Sequence, residues 1–421
     1  MNEPPIIERN LTIDGESFAL VVTTHHNGVV ATTAIHRHDF ERRVGGARFV
    51  ETIGGLSEVG HLSSTMTEKC MAAMIPADGQ KTVIATGPGN ILSEERRAEI
   101  LVEHVRVVRE LDPGTIVGPD MNNPESVQDR AARAEGMLDH FTGLSEATRG
   151  LSIDKFGYTA HGLVAAIRAC IDDAALAKQR VSIQGFGAVG GHTARLLADL
   201  GAKIVAVNNK DVLFTDPNGL DIQSLWAHRL QYGDEGLNHY AHDGDDFRTS
   251  TNPDDIFQVP ADIFIPAGRT DVLATAAELE HDRQTENPDV RDVAGFHAAT
   301  GVKLVVEGAN HPLSLAAEGW LESKGVRILP DFIVNCGGLI GCWVEWQARH
   351  RDGLKPVVDL KEVGQKALEH IRETVTANIK ELLSAETSAR ETAGRIVERN
   401  REKLATGRAY QIALTNSSGT F

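Results

Sequence analysis

The chain has 421 residues, 41% of them apolar and 24% charged, with Gly 40 and Pro 15, which is a globular composition long enough for two domains rather than one core. A formal net charge of -17 sets the field of the molecule against polyanions, so nucleic acid and anionic membrane surfaces are not expected as partners. The start has no basic segment leading into an apolar core, and no run approaches ~18 apolar residues, so a cytoplasmic location is expected. Cys70, Cys170, Cys336 and Cys342 make no CxxC pair and no disulfide framework. They read as reduced thiols; Cys336 and Cys342 can be active-site neighbours, although a buried small residue is the commoner role of a free cysteine. No metal site is expected.

In chain order, Phe18 to Ile35 reads as two β-rich runs around His26-Asn27-Gly28, a hairpin signal. Glu94 to Glu110 spaces its apolar positions as one helical face, stopped at Asp112-Pro-Gly, and Thr115-Ile-Val is a strand ending at Gly118-Pro-Asp120. A helix beginning near Thr159 leads to a short strand, Arg180 to Gln184. Further strand-like runs, Lys203 to Val207, Ala261 to Ile265, Val302 to Val306 and Val326 to Leu329, alternate with helical ones. This alternation predicts a doubly wound parallel sheet. After Asn335-Cys-Gly-Gly338 the chain reads as helical. Pro356 opens a long segment with Ala367, Leu368, Ile371, Val375, Ile379 and Leu382 on one face. The expected fold class is α/β in two domains: 1–150 completed by a helical C-terminus, 336–421, and a Rossmann domain, 151–335.

Gly185-Phe186-Gly187-Ala188-Val189-Gly190 follows an apolar strand and precedes a helical stretch, the context in which GxGxxG binds a dinucleotide. Glycine lets backbone amides approach a pyrophosphate, and the helix N-terminus supplies positive potential. An acid at the end of the next strand would bind a ribose 2′-hydroxyl. The sequence there reads Val207-Asn208-Asn209-Lys210-Asp211: Asn208 does not repel a 2′-phosphate and Lys210 attracts one, a slight lean to NADP over NAD.

Two lysines twelve residues apart, Lys69 and Lys81, stand among apolar neighbours. Lys69 precedes Cys70-Met-Ala-Ala-Met-Ile, and Lys81 lies between a glycine-containing turn at Gly79-Gln80 and β-prone Thr82-Val-Ile. A lysine desolvated near another cation has a lowered pKa and can act at neutral pH as acid, base or electrostatic clamp.

These motifs carry a resemblance. Gly45-Gly46-Ala-Arg48, Lys69-Cys-Met-Ala, Lys81-Thr-Val-Ile, Gly118-Pro-Asp120, Thr159-Ala-His-Gly162, the glycine-rich turn, Glu307-Gly-Ala-Asn310 and Asn335-Cys-Gly-Gly338 resemble, in order, the glutamate/leucine/phenylalanine/valine dehydrogenase family. The resemblance implies oxidative deamination of an L-amino acid to a 2-oxo acid and ammonia by a homo-oligomer, with hydride passed to a nicotinamide. It also implies roles. Lys69 binds the substrate α-carboxylate, Lys81 polarises the carbonyl oxygen and positions water, and Asp120 shuttles protons to and from the amino group. Asn310 lies near nicotinamide and substrate, and Thr159 near the cofactor amide.

In glutamate enzymes of the family a third lysine precedes the Gly-Gly pair and grips the side-chain carboxylate; Val44 stands there in this chain. An unpaired γ-carboxylate would cost several kcal/mol of desolvation. Val44, Leu339 and Cys342 resemble the branched-chain and aromatic branch, and Gly118 leaves room for a bulky side chain. In contrast, Asp216-Pro-Asn-Gly-Leu-Asp221 and the long helical C-terminus resemble the glutamate branch. Asp78, where the family has glycines, reads as pointing into solvent; pointing inward, it would call for an extra amine or hydroxyl on the substrate. His161 reads as a hydrogen-bonded structural histidine.

Overall fold

A computed structural model describes residues 3–241, 246–282, 290–351 and 359–406. The chain forms two compact units, Met1–Ile153 with Gly338–His370 and Gly394–Phe421, and Asp154–Gly337 with Ile371–Ala393.

The first unit is built on six strands, β1 (Ile6–Ile13), β2 (Glu16–His26), β3 (Val29–Ile35), β4 (Arg42–Val50), β5 (Ala77–Ala85) and β6 (Thr115–Gly118), in the order β1-β2-β3-β5-β4-β6. The hairpin expected at Asn27-Gly28 is present. Both residues have positive φ, 52° and 85°, which gives the turn a twist that matches its strands. Helix α1 (Gly55–Ala72) covers one face of the sheet, where Phe18, Val21, Ala34, Leu62 and Val83 pack together. Helix α2 (Glu94–Leu111) covers the other, over Ala31, Ala47, Phe49 and Ile84, and α3 (Glu125–Ala132) joins it. Strand β5 is therefore buried on both sides. Its odd-numbered side chains meet α1 and its even-numbered ones meet α2.

Gly79 is not in a turn but inside β5, which pairs antiparallel with β3 and parallel with β4. Glycine is required there because α1 lies so close: a Cβ on Gly79 would stand 2.1 Å from the Ser63 carbonyl oxygen. Ser63 Oγ donates to the Gly79 carbonyl at 3.1 Å, and the Gly79 N–H donates to Thr67 Oγ1 at 2.8 Å. These contacts anchor the C-terminal half of α1, whose last turn carries Lys69.

The second unit begins with α4 (Tyr158–Cys170) and α5 (Asp173–Leu176). The chain then runs β7 (Arg180–Gln184), α6 (Ala188–Asp199), β8 (Lys203–Asn208), β9 (Leu213–Thr215), α7 (Ile222–Gly236), β10 (Arg248–Ser250) and β11 (Ile263–Pro266). A small pair, β12 (Leu273–Ala274) and β13 (Arg291–Asp292), brackets α8 (Ala276–Asp282). There follow α9 (Val293–Thr300), β14 (Leu304–Val306), α10 (Leu315–Ser323), β15 (Arg327–Leu329) and α11 (Asp331–Val334). The large sheet has the order β10-β9-β8-β7-β11-β14-β15, parallel from β8 to β15. This is the expected α/β doubly wound architecture, with β7 at the point where the winding reverses, the place at which such sheets bind their ligands.

The chain closes with α12 (Gly337–Arg351), α13 (Leu360–Ser384) and α14 (Ala389–Ala405). Ala367, Ile371, Val375 and Ile379 are buried on α13, as their spacing predicts. Pro356 lies outside the described residues. Not all of 336–421 completes the first unit: Ile371–Ala393 belongs to the second, where Arg390 is held by carboxylates. Among the described residues no helix is long and apolar enough to cross a membrane.

Candidate active site

In the first unit, β4, β5 and the loop after β6 bring three charged side chains together. Lys81, on the α1 face of β5 and only 4% exposed, is ion-paired with Asp120 Oδ2. Arg48 of β4 donates to the same oxygen from Nε at 2.9 Å. Gly46 makes room for this: a Cβ there would lie 2.9 Å from the Asp120 Cβ. Gly45 is tighter still, since a Cβ would be 1.7 Å from the Gln80 carbonyl oxygen. Gly46 thus serves first to admit Asp120, and Gly45 to bring β4 against β5.

Burial brings the Lys81 ammonium down to about 8, with the positive charges of Arg48 and Lys69 adding to it and Asp120 opposing. Burial pushes the Asp120 carboxyl up, but Lys81 and Arg48 outweigh it and hold the group below the ordinary carboxylate range. Lys81 therefore changes charge at about pH 8, while Asp120 rests ionised beside its two cations. The Gly-Gly-Ala-Arg motif gives Arg48 no role of its own; its partner is 72 residues away, and only the fold shows that it holds the acid.

Asp78 does not point into solvent, nor does it lie beside Lys81. It is 0% exposed on the α2 face of β5, opposite Lys81, where it accepts the Phe40 N–H at 2.9 Å. The two are three positions apart on a strand of period two, so they must face opposite ways. Burial raises the Asp78 carboxyl.

Val44, 4% exposed, pairs with Gly79 and so shares the Lys81 face. A Cβ on Gly118 would be 3.8 Å from Cys342 Sγ and 3.7 Å from Thr142 Cγ2, while Thr142 Oγ1 donates to the Cys342 carbonyl at 2.7 Å. Leu339, half-buried, is one turn before Cys342 on α12. Gly118 and Cys342, distant in sequence, are thereby neighbours.

In the second unit the three fingerprint glycines do three different things. Gly185 has φ 94°, and a Cβ on it would strike Gly268 Cα at 2.5 Å. A Cβ on Gly190 would be 1.8 Å from the Gly185 carbonyl oxygen, so the third glycine packs helix against strand. Gly187, which caps α6, has nothing within 4 Å of a Cβ position. That open approach to the N-terminus of a twelve-residue helix fits a dinucleotide pyrophosphate. Ala188 and Val189 form the first turn of α6. Phe186 is buried edge-on against Trp226, so its side chain is structural. Asn208 is engaged as well: its Oδ1 accepts the Gly185 N–H at 2.7 Å and its Nδ2 donates to the Pro253 carbonyl at 2.9 Å. Lys210 is exposed beside Asp211 at 3.0 Å. Burial and Arg195 lower the pKa of His161.

The loops after β11 and β14 run side by side, Ala309 N–H donating to the Pro266 carbonyl at 2.8 Å. Asn310 Oδ1 accepts from Asn335 Nδ2 at 3.1 Å, and a Cβ on Gly337 would come within 3.2 Å of Thr159 Cα. Asn310, Asn335 and Thr159 thus belong to one end of the sheet. Among the described residues no group of His, Cys, Asp or Glu is placed to hold a metal.

Residues 150–405 match the family model described as glutamate/leucine/phenylalanine/valine dehydrogenase. A glutamate dehydrogenase of Aeropyrum pernix is 30% identical over 363 residues, 83% of this chain and 79% of that protein, a share that reaches into the first unit. The fold is similar to the hetero-hexameric glutamate dehydrogenase of Thermus thermophilus in its Leu-bound form (TM-score 0.71, 21% identity, 97% of this chain and 90% of that one). It is also similar to the L-tryptophan dehydrogenase of Nostoc punctiforme (TM-score 0.58, 19% identity, 92% and 97%). The chain belongs to the glutamate/leucine/phenylalanine/valine dehydrogenase family and is an NAD(P)-dependent amino acid dehydrogenase.

Proposed function

We propose that the substrate is an L-amino acid with an uncharged, bulky or aromatic side chain, converted reversibly to its 2-oxo acid and ammonia by a cytoplasmic homo-oligomer. The observation that carries this reading is Val44, apolar and buried on the Lys81 face of the sheet. Gly118, Leu339 and Cys342 line the rest of the side-chain pocket. Lys69 binds the α-carboxylate. Lys81 as ammonium polarises the carbonyl oxygen of the 2-oxo acid, and as free amine takes a proton from water. Asp120 exchanges protons with the amino group when Lys81 is a free amine, since loss of that charge removes the larger of the two attractions that hold the carboxyl low. Arg48 keeps Asp120 in place.

The fingerprint glycines hold the dinucleotide at the α6 N-terminus, Thr159 and Asn310 orient the nicotinamide, and Lys210 tips the preference slightly toward NADP. Bound there, the nicotinamide supplies the acceptor for hydride from the substrate Cα.

The test is reduced-nicotinamide absorbance with a panel of L-amino acids and each cofactor, run on the wild type and on Val44→Lys. Wild type should prefer leucine, phenylalanine or tryptophan to glutamate, and Val44→Lys should shift the ratio toward glutamate by about ten- to a hundredfold, as one matched charge pair permits. Glutamate as the best wild-type substrate would replace this reading with the second one, glutamate dehydrogenase, which the Aeropyrum relative favours. Turnover confined to a broader 2-oxo acid panel with ammonia would indicate an unusual amino acid of specialised metabolism. Cofactor binding with no turnover at all would indicate a sensor.

A further inference from the structure

Apart from the residues assigned above, the second unit buries three carboxylates around one guanidinium. Glu307, just after β14, and Asp331, opening α11, are 0% exposed, and Glu318 of α10 is 3%. Arg390, in the first turn of α14, reaches all three. Its Nη2 donates to Glu307 Oε2 at 2.8 Å and to Glu318 Oε1, its Nε to Glu318 Oε2 at 3.1 Å, and its Nη1 to Asp331 Oδ1 at 2.8 Å. A planar five-donor fork can join three elements in this way, whereas a point charge cannot.

The cluster continues into the loop that carries Asn310. Asp331 N–H donates to Glu307 Oε2 at 3.0 Å, and the second Asp331 oxygen accepts the His311 N–H, also at 3.0 Å. His311 has φ 44°, a left-handed conformation that a non-glycine residue keeps only when its surroundings impose it. Burial, with Glu318 and Asp331 adding to it, pushes the Glu307 carboxyl well up, and Arg390 opposes. Without the guanidinium the remaining carboxylates would repel and the Asp331–His311 bond would lose its anchor.

We propose that Arg390 is a positioning residue that acts through Glu307 and Asp331 to hold the Asn310–His311 turn in the shape that presents Asn310 to nicotinamide and substrate. The functional half of this statement rests on the reading of Asn310 given above; the structural half does not.

Both halves are tested on the full-length protein with Arg390→Lys, which keeps a positive charge and loses the fork. Amide exchange across 306–313 should quicken about tenfold or more while β7 and β8 keep their protection. Cofactor affinity and turnover should fall together by a similar factor. His311→Gly, which adopts the left-handed turn unaided, should recover part of the loss in the Arg390→Lys background. Unchanged exchange at 306–313, or His311→Gly and Arg390→Lys effects that simply multiply, would overturn the positioning role. If the lysine variant does not fold, Arg390→Gln combined with Glu318→Gln removes one charge of each sign and is read the same way. Full turnover and full cofactor affinity in Asn310→Ala would instead remove the reading of Asn310, leaving the exchange result to stand alone.

Discussion

Lys81 and Asp120 form an ion pair of which only the lysine titrates in the working range, and this fixes the direction of the pH dependence. With its ammonium brought down to about 8, Lys81 gains the free-amine form as pH rises through that value. Oxidative deamination, which uses the free amine as base, should therefore climb through about pH 8, and reductive amination, which uses the ammonium, should decline over the same interval. Lys81→Ala should lower kcat by about a hundred- to ten-thousandfold in both directions. Arg48 helps to keep the Lys81 ammonium low, so Arg48→Gln should move both limbs to higher pH; limbs that stay put in steady-state profiles would refute that part of the electrostatic account. The two lysines and Asp120 were legible as motif residues. The role of Arg48 was not, because it is a relation between β4 and the loop after β6. Asp78 is illegible for another reason: Asp-Gly-Gln has turn composition, which masks the alternation that puts it and Lys81 on opposite faces.

Among the elements, the glycine-rich turn gives the sharpest contrast. A methyl on Gly190 meets a carbonyl oxygen at 1.8 Å, whereas one on Gly187 meets nothing within 4 Å. Gly190→Ala should yield little folded protein. Gly187→Ala should fold with its melting temperature nearly unchanged and bind cofactor about tenfold more weakly, since the methyl occupies the approach to the helix N-terminus. Calorimetry and cofactor titration would check the pair, and a Gly187→Ala protein with undiminished affinity would place the pyrophosphate elsewhere. Strands and turns such as β7 and the Asn27-Gly28 hairpin were readable because their signals are local. Strand β5 was only half readable. Its first residues owe their extended conformation to β3, β4 and the approach of α1 at Gly79, none of which is encoded nearby.

At the scale of the molecule, the last two helices alternate between the units, α13 passing from the first to the second and α14 back again. Their amphipathic spacing predicts helices but not which unit each turn joins. That is decided by side chains such as Arg390, held by Glu307 and Asp331, and Asn400, whose Nδ2 donates to the Met71 carbonyl at 3.0 Å. Ending the chain after Ser384 should therefore destabilise both units at once, by several kcal/mol in the second, where buried carboxylates would lose their cation. Hydrogen exchange that reports loss in one unit only would contradict this. The opposed faces of β5 also matter for how such an enzyme changes over generations. Asp78 and Lys81 share a strand but not a compartment, so drift at Asp78 alters robustness under α2 without retuning reactivity under α1. This sheet thereby loosens the usual conflict between holding together and turning over.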